Sequence, residues 1–456
     1  MCIKIFNVSV LLTFIFSPLV LFSQNTTQVR DSINTYTYLD FKHMKKQLGI
    51  TVENRTGPSG NPNDPNAANT DESAVREYIL PDLLIAENGE KIYTSNEWER
   101  LRRPELIESI ATEMYGHIPE NVPEISWKVE ATKDTVIGGV LIEEEWLIGI
   151  VDNAAHPELA VEIQVLLGLP KLEKRNAIPV VIQLGFLNSP FGKVNEPSSY
   201  FISPYEPRFK QQLAIQGWGY AILEVNSIQA DHGAGIKSGI IGLVNKGESR
   251  SPDDWGVLRA WGWGASKLVD YFSVRPDVDQ ERVAVEGTSR YGKAALVAMA
   301  FDPRISLGFI GSSGAGGASI LRRNFGESLE NLASPAEYHW FSGKFIKYAS
   351  IQTVDDLPFD AHTVIALCAP RPVFISAGSS AIEGNWVDAK GMFLGGLKAS
   401  PVYELYGLNG YRTSEFPFMG TALTQGELAF RQHGGGHSTG PNWSTWIAWA
   451  RRYWDN

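Results

Sequence analysis

A serine between two glycines marks the segment of this chain that could do chemistry. Residues 287–293 have the sequence GTSRYGK, with Ser289 at the centre. On a sharp turn between a strand and a helix, such a serine projects its hydroxyl above the sheet as a nucleophile. The backbone N–H of Arg290 can then hold a developing oxyanion. The spacing departs from the common Gly-x-Ser-x-Gly pattern, because Tyr291 stands at the second glycine position and Gly292 follows it. A purely structural turn is the alternative.

A serine hydroxyl needs a general base to take its proton, and the chain contains eight histidines. In enzymes that carry the serine on such a turn, an acidic residue follows in the sequence and the histidine comes last. His433 and His437 lie late in the chain, in a glycine-rich loop before an amphipathic segment at 443–454. The order favours His437 as the base, while an ordinary surface loop with two incidental histidines is the alternative.

The acid that orients this histidine is expected after the apolar run Val373–Ala377. Glu383 and Asp388 both lie there, in the sequence SAIEGNWVD. Glu383 is our choice, because Asp388 follows Trp386 and should already lead into the next helix. The sequence alone does not decide between the two carboxylates.

The elements around these residues alternate between strand and helix from about residue 177 onward. Short, nearly all-apolar runs predict strands that are buried on both faces, and segments of helical periodicity separate them. This alternation predicts a largely parallel sheet with helices on both faces. Before it, Val136–Ile142 and Val161–Val165 have the patterns of antiparallel strands. The strand and helix segments are Pro179–Gly185, Tyr220–Val225, Val283–Gly287, Ser306–Ile310 and Val373–Ala377 as strands, with Trp255–Phe272, Ala294–Phe301 and Trp443–Trp454 as helices.

Together these segments resemble the glucuronoyl esterases, carbohydrate esterase family 15. The Gly-x-Ser-Arg-x-Gly-Lys segment is similar to the family signature, and an ordered set of further motifs extends the resemblance over about residues 77–455. Those motifs are PDDWG at 252–256, SGAGG at 313–317, HWFS at 339–342, LPFDAH at 357–362, APRP at 369–372 and Gly436-His437. The resemblance implies an α/β-hydrolase, a three-layer sandwich with a mostly parallel central sheet and antiparallel strands at its N-terminal edge.

The resemblance also implies roles for individual residues. It makes Ser289 the nucleophile and His437 the base, and Arg290 would stabilise the oxyanion through its backbone and its guanidinium group. Lys293 would hydrogen-bond the sugar. Glu337 falls where the family has a carboxylate for sugar hydroxyls, and Trp386 falls where an aromatic ring lines the uronate site. Without the resemblance, Lys293 and Glu337 would be ordinary helix-surface ions, and Trp386 would be a packed rim aromatic.

The chain departs from the fungal pattern of this family at three positions. The catalytic glutamate of that pattern is Ser312 here, which cannot serve as an acid. Bacterial members can place the acid after the next strand, which again favours Glu383. The two cysteines that form a disulfide in fungal members are Thr288 and Ser438 here, so that disulfide is absent. An active member with a relocated acid is our interpretation, and a member with weakened catalysis is the alternative.

The composition and the N-terminal residues restrict the kinds of partner and the cellular location that the protein can have. The chain of 456 residues has 40 Lys and Arg against 51 Asp and Glu, a net charge of −11, which argues against a nucleic-acid partner. Residues 1–23 combine a lone charge, Lys4, with a short apolar run, so they predict an export signal and a periplasmic or secreted protein. No membrane span is expected in the mature chain. Residues 24–76, rich in Asn, Pro and Gly, predict a flexible or weakly ordered segment, and 77–456 the catalytic domain.

The sequence thus predicts an exported, monomeric serine esterase that needs no metal or organic cofactor. Its expected substrates are esters between (4-O-methyl-)glucuronic acid side chains of xylan and lignin alcohols, in glucuronoxylan or lignin–carbohydrate fragments. Another carbohydrate esterase, such as an acetyl xylan esterase, is one alternative. A non-catalytic polysaccharide-binding relative is the other.

Overall fold

The computed structural model describes residues 19–172, 177–187 and 209–455. Residues 1–18 of the predicted export signal lie outside this part of the chain. The strands are β1 (Ile125–Ile137), β2 (Val140–Val151), β3 (Glu162–Pro170), β4 (Ile178–Gly185), β5 (Gly219–Glu224), β6 (Val278–Thr288), β7 (Leu307–Gly311), β8 (Val373–Ala377), β9 (Ala422–Leu423) and β10 (Leu428–Gln432).

Helices of very different lengths connect and cover these strands. The α-helices are α1 (Leu19–Gln47), α2 (Ser95–Glu97), α3 (Arg103–Ile110), α4 (Phe209–Ile215), α5 (Val225–Ile228), α6 (Gly239–Val244), α7 (Val257–Phe272), α8 (Arg290–Phe301), α9 (Leu329–Leu332), α10 (Ala361–Ala366), α11 (Ala389–Leu405) and α12 (Trp443–Trp454). Short 3₁₀ turns include Gly233–Gly235, Tyr338–Trp340, Asn385–Val387 and Gly440–Asn442.

The described strands form one sheet with the order β1-β2-β3-β5-β4-β6-β7-β8-β10-β9. The strands from β5 to β10 in this order run parallel, whereas β1, β2 and β3 pair antiparallel at one edge and β9 pairs antiparallel at the other. The predicted α/β sandwich with antiparallel strands at its N-terminal edge is therefore confirmed. The parallel strands point their carboxyl ends to one edge of the sheet, where α/β folds place their sites.

The run Val136–Ile142 does not form one strand, as its hydrophobicity suggested, but a hairpin between β1 and β2. Gly138 and Gly139 form its turn, with φ angles of 60° and 84°. Two consecutive positive φ angles match the twist of a tight hairpin, and glycine adopts them without a Cβ clash. An apolar pattern does not show this reversal, because the residues on both sides of the turn are equally apolar.

The two faces of the sheet carry separate hydrophobic clusters. Alternate residues of β4 point to opposite faces, so Val180 and Ile182 belong to one cluster while Val181 belongs to the other. Helices α7, α8, α10 and α11 cover the first face, and α4 and α12 cover the second. All eight residues of β4 are buried, as predicted for a strand covered on both faces.

Residues 28–76 make more contacts with the rest of the protein than their composition suggests. Phe41 and Met44 on α1 form a small buried cluster with Tyr338 and Ile346. The Thr37 hydroxyl accepts a hydrogen bond of 3.0 Å from the backbone N–H of Ala234. A few apolar side chains thus anchor a segment that is otherwise polar. The division of the chain at residues 23 and 76 stays a prediction.

Within the described part of the chain, none of the helices combines the length and the hydrophobicity that a membrane crossing requires.

A carboxylic acid is buried in the centre of the sheet, near the end of β6. Glu286 lies beside Gln183 on β4 and Phe309 on β7 in the strand register, and its Oε1 accepts a hydrogen bond of 2.7 Å from the Thr439 hydroxyl. Burial raises the pKa of Glu286 to about 7 from its ordinary 4.5, although the bond from Thr439 opposes this. The folded protein therefore holds a proton on Glu286 at pH values where the unfolded chain has released it.

We expect the free energy of unfolding to fall, by at most about 3 kcal/mol, as the pH rises from 4.5 to 7, because the folded state binds the extra proton. Glu286→Gln cannot titrate, so urea unfolding of this variant should lack that part of the decline. Glu281, exposed on the same strand, supplies the matched control, and Glu281→Gln should keep the wild-type dependence. Parallel wild-type and Glu286→Gln curves across the window would contradict this prediction.

Candidate active site

The predicted serine lies on a strained turn between β6 and α8. Ser289 has φ 64° and ψ −131°, which L-residues rarely adopt. Its backbone N–H donates to the Gly311 carbonyl at the end of β7, over 2.8 Å. A Cβ on Gly287 would collide with the Tyr291 carbonyl oxygen, and one on Gly292 would lie 2.6 Å from that of Gly311. Gly292 therefore does what the second glycine of the common pattern does, one position later in the sequence. It is needed there because a side chain would collide with the end of β7.

The predicted base and acid meet above the neighbouring strands. His437 lies in the loop that follows β10, and its Nδ1 is 2.6 Å from Oε1 of Glu383, which lies in the loop after β8. The side chain of Glu383 is 1% exposed and that of His437 is 26% exposed, so the acid is enclosed while the imidazole reaches the surface. Oε2 of Glu383 accepts a hydrogen bond of 2.6 Å from the Gly378 backbone N–H. Both carboxylate oxygens are thus fixed, and Nε2 of His437 is the nitrogen left to exchange protons.

Gly378 allows these two loops to approach each other. A Cβ on Gly378 would lie 2.5 Å from the Gly436 carbonyl oxygen. The Gln432 side-chain amide donates to the Gly378 carbonyl over 2.9 Å, and the Ser379 N–H donates to the Gly435 carbonyl over 2.8 Å. The loop after β8 and the loop after β10 are therefore one hydrogen-bonded unit.

The second histidine of the glycine-rich loop has a structural environment. His433 is buried, its Nε2 lies 2.7 Å from the Ser438 carbonyl oxygen, and its Nδ1 accepts from the Gly435 N–H over 3.0 Å. Burial lowers its pKa. Both ring nitrogens hold the loop, so the geometry favours His437 over His433 as the base.

Asp388, the alternative acid, has its hydrogen bonds with groups other than the histidine. It is buried, and its Oδ2 accepts hydrogen bonds of 2.9 Å from both Arg323 Nε and the Ser319 hydroxyl. Its Oδ1 caps α11 through the Gly391 N–H at 2.8 Å. These contacts make Asp388 part of a buried ion pair at the start of a helix, which agrees with the prediction that the chain there already leads into a helix.

Ser312 stands just beyond β7, where the fungal pattern has its acid. Its backbone N–H donates to the Ser376 carbonyl over 2.7 Å, and its φ is 45°. Its hydroxyl is buried and has no hydrogen-bond partner within the described residues. The side chain at this position therefore makes no polar contact with the described part of the histidine loop.

Arg290 and Lys293, on the first turn of α8, pack on the same aromatic ring. The Arg290 guanidinium carbon lies 5.0 Å and the Lys293 Nζ 5.5 Å from the centroid of Trp340. Arg290 is paired with Asp231 at 2.7 Å, and Lys293 with Glu327 at 3.2 Å. Two cations with fixed partners therefore lie within a turn of Ser289, next to an aromatic wall.

Glu337 precedes this wall, at the edge of the turn Tyr338–Trp340. Its Oε2 is buried without a hydrogen-bond partner among the described residues. Burial raises its pKa to about 7, and the nearby Glu327 carboxylate adds to the rise. Near neutral pH a carboxyl group in this state can either accept or donate a hydrogen bond.

Trp386 lies beside the histidine and partly open to solvent. Its ring centroid is 5.0 Å from that of His437, and its indole N–H donates to the Glu383 carbonyl over 2.8 Å. The residue is 39% exposed, although its indole N–H is held by the protein. It offers a flat apolar surface next to the imidazole.

Sequence reasoning missed Asp231 and Glu327, the two carboxylates that hold Arg290 and Lys293. Neither residue lies in one of the motifs. Each belongs to a loop far from α8 in the sequence, so no local pattern links it to Arg290 or Lys293. Asp231 follows β5 by seven residues, so its position beyond the carboxyl end of a central strand was the one usable signal.

The described residues contain no group of three or more His, Cys, Asp and Glu that could hold a metal ion. The absence of a cofactor remains a prediction of the serine chemistry.

Comparison with known proteins agrees with this geometry. A family model described as glucuronyl esterase, fungi, matches residues 249–407. The carbohydrate esterase MZ0003, from an unknown prokaryotic organism, is 31% identical over 414 residues, 85% of this chain and 92% of the relative. The 4-O-methyl-glucuronoyl methylesterase of Podospora anserina is 37% identical over 129 residues, 26% of either protein.

Solved structures match over most of the chain. A CE15 glucuronoyl esterase from Teredinibacter turnerae T7901 is 41% identical, covers 92% of this chain and 100% of its own, and superposes with a TM-score of 0.85. A glucuronoyl esterase from Solibacter usitatus is 31% identical, covers 84% of this chain and 100% of its own, and has a TM-score of 0.73. With a serine turn, a histidine–glutamate pair and relatives of this extent, the chain is an esterase that belongs to carbohydrate esterase family 15.

Proposed function

We propose that this esterase hydrolyses glucuronoyl esters, the bonds between (4-O-methyl-)glucuronic acid side chains of xylan and lignin alcohols. The observation that carries the proposal is the placement of Arg290 and Lys293 on the first turn of α8, directly after the strained Ser289. Such fixed cations suit a substrate whose acyl part leaves as an anion. Relatives named glucuronoyl esterase or 4-O-methyl-glucuronoyl methylesterase support the substrate class.

In the first step, the Ser289 hydroxyl attacks the carbonyl carbon of the ester while Nε2 of His437 takes its proton. The carbonyl oxygen becomes an oxyanion, which the backbone N–H and the guanidinium of Arg290 stabilise. The tetrahedral intermediate then collapses, the C–O bond to the alcohol breaks, and His437 returns the proton to the alcohol oxygen. The product is an acyl-enzyme on Ser289.

In the second step, water takes the place of the alcohol. His437 removes a proton from the water as it attacks the acyl carbon, and the serine oxygen leaves with that proton. Glu383 accepts the Nδ1–H of His437 in both steps, so it fixes the tautomer of the imidazole and stabilises the imidazolium that forms twice per turnover. Glucuronate is released and the enzyme returns to its starting state.

The sugar is held by groups around the serine. Lys293 donates to a sugar oxygen, and Glu337 bonds to sugar hydroxyls with the oxygen that has no partner among the described residues. Trp386 covers the uronate ring with its exposed face, since sugar rings stack well on indole. These three residues recognise the acyl part, and none of them has to touch the scissile bond.

Export, a periplasmic or secreted location and a monomeric state belong to the same proposal. The charge and the apolar run of residues 1–23 support the first two. A xylan-linked substrate is a polymer outside the cell, which is where an exported esterase would meet it.

The serine and the histidine should behave as one catalytic unit. Ser289→Ala and His437→Ala should each lower kcat on benzyl and methyl glucuronate by about 10⁴-fold or more, and the double variant should lose little beyond that. His433→Ala should lower the melting temperature but retain far more activity than His437→Ala. Activity on acetylated xylan with none on the glucuronates would contradict the substrate class. Saturable glucuronoxylan binding without any turnover would contradict the enzyme mechanism.

The two carboxylates near Trp386 should separate activity from stability. Glu383→Gln should lower kcat by up to about 10⁴-fold with KM little changed, because Nδ1 loses its charged acceptor. Asp388→Asn removes the partner of a buried arginine, so it should lower the melting temperature while kcat of the folded enzyme stays near normal. Steady-state kinetics and thermal unfolding measure both. A Glu383→Gln enzyme with near-normal kcat would show that another carboxylate orients His437.

Lys293 should act on the sugar and not on the reacting bond. Lys293→Met keeps the buried stem but loses the ammonium, so kcat/KM on methyl glucuronate should fall roughly 10- to 100-fold. Hydrolysis of a simple aryl acetate by the same variant should fall less than about threefold. Lys171→Met, on the exposed antiparallel edge of the sheet, serves as the charge-matched control. Equal losses on both substrates would refute a role in sugar recognition.

A further inference from the structure

Asp231 lies in the loop between α5 and the turn Gly233–Gly235, at the carboxyl side of β5. Three side chains from two other segments meet at its carboxylate. Arg290 Nη1 donates to Oδ2 over 2.7 Å, the Trp340 indole N–H donates to Oδ1 over 2.6 Å, and His339 Nε2 lies 3.2 Å from Oδ1. Oδ2 therefore contacts Arg290 on α8, whereas Oδ1 contacts the aromatic segment that contains Trp340.

The charge of this carboxylate is maintained by its surroundings. Burial opposes ionisation, but the bond to His339 and the guanidinium of Arg290 outweigh it and lower the pKa of Asp231. An ionised Asp231 can accept from all of its neighbours at once. The side chain of Asp231 is 17% exposed, against 41% for Arg290, so the anchor is enclosed and the group that it holds reaches the site.

Arg290 is a long side chain that would otherwise sample many rotamers at this exposure. Asp231 holds one end of the guanidinium in an ion pair, and the Trp340 ring supports its face at 5.0 Å. The same carboxylate fixes the orientation of that ring through the indole N–H. Both supports of the guanidinium thus depend on a single residue.

We propose that Asp231 is a positioning residue for ester hydrolysis, which acts by holding the Arg290 guanidinium and the Trp340 ring in the arrangement that stabilises the oxyanion. The proposal rests on the function proposed above, since it requires that Arg290 act on the transition state. A preorganised donor contributes most when it does not have to reorient during the reaction. Asp231 would supply this preorganisation without touching the substrate itself.

Asp231→Asn isolates the contact with Arg290. The asparagine oxygen can still accept from Trp340 and His339, but its NH₂ group replaces the oxygen that faces the guanidinium. We expect kcat on benzyl glucuronate to fall about 10- to 100-fold with KM changed less than about twofold, because substrate binding in the ground state does not use this contact. Asp134→Asn serves as the matched control. Asp134 lies on the edge strand β1 and forms an exposed ion pair with Lys171, so the same substitution there should leave kcat unchanged.

A double-mutant cycle tests whether Asp231 acts through Arg290. In the Arg290→Ala background, Asp231→Asn should lower kcat less than about twofold, because the group that it positions is gone. A loss as large as in the wild-type background would overturn the proposal and assign Asp231 a general structural role. If Asp231→Asn does not fold, Asp231→Glu, which keeps the charge but displaces it, enters the same cycle with the same expectations.

Two outcomes separate this proposal from the function on which it rests. An Arg290→Ala enzyme with normal kcat would remove the role of Arg290 and overturn the proposal for Asp231, while glucuronate hydrolysis that depends on Ser289 would still support the proposed function. If neither the wild type nor any variant hydrolysed glucuronate esters, both proposals would be overturned.

Discussion

The backbone of Ser289 is the constraint on which the rest of the site depends. A φ of 64° in a serine is costly, and it persists because the turn is held on both sides. Before the serine, Gly287 leaves room for the Tyr291 carbonyl. After it, Gly292 leaves room for the Gly311 carbonyl at the end of β7, which also accepts the Ser289 N–H. The turn follows β6 directly and starts α8 immediately afterwards. The helix then carries Arg290 and Lys293 to the serine without any further loop.

The candidate base comes from a different part of the chain, in the loop after β10, and hydrogen bonds hold this loop to the loop after β8. Gln432 and Ser379 tie the loop after β10 to the loop after β8, and Gly378 lets their backbones approach closely. Glu383 can therefore sit under the imidazole with both oxygens occupied. An acid held in this way keeps one orientation, as the proton transfers proposed for His437 require, whereas a solvated carboxylate would not.

The sequence singles out those candidate residues whose positions depend on local chemistry. Ser289 and His437 lie in glycine-rich segments at strand ends, and the order of serine, acid and histidine restricts the choice of partners. The preference for Glu383 over Asp388 agrees with the geometry, because a buried arginine and a helix cap occupy Asp388. The hairpin at Gly138–Gly139 was missed because hydrophobicity does not report a chain reversal. Asp231 and Glu327 were missed because long-range packing, not a local pattern, brings them to α8.

The position of the acid shows how a parallel sheet tolerates such a change. The ends of β7 and β8 are neighbours at one edge, and Ser312 bonds directly to Ser376 across them. A carboxylate at either strand end is therefore within reach of a histidine that follows β10. Moving the acid from one strand end to the next requires a new anchor for its second oxygen, and the Gly378 N–H supplies that anchor to Glu383 at 2.6 Å. Under the proposed mechanism, the place of the charge beneath the imidazole determines how the base works, whichever strand end provides that charge.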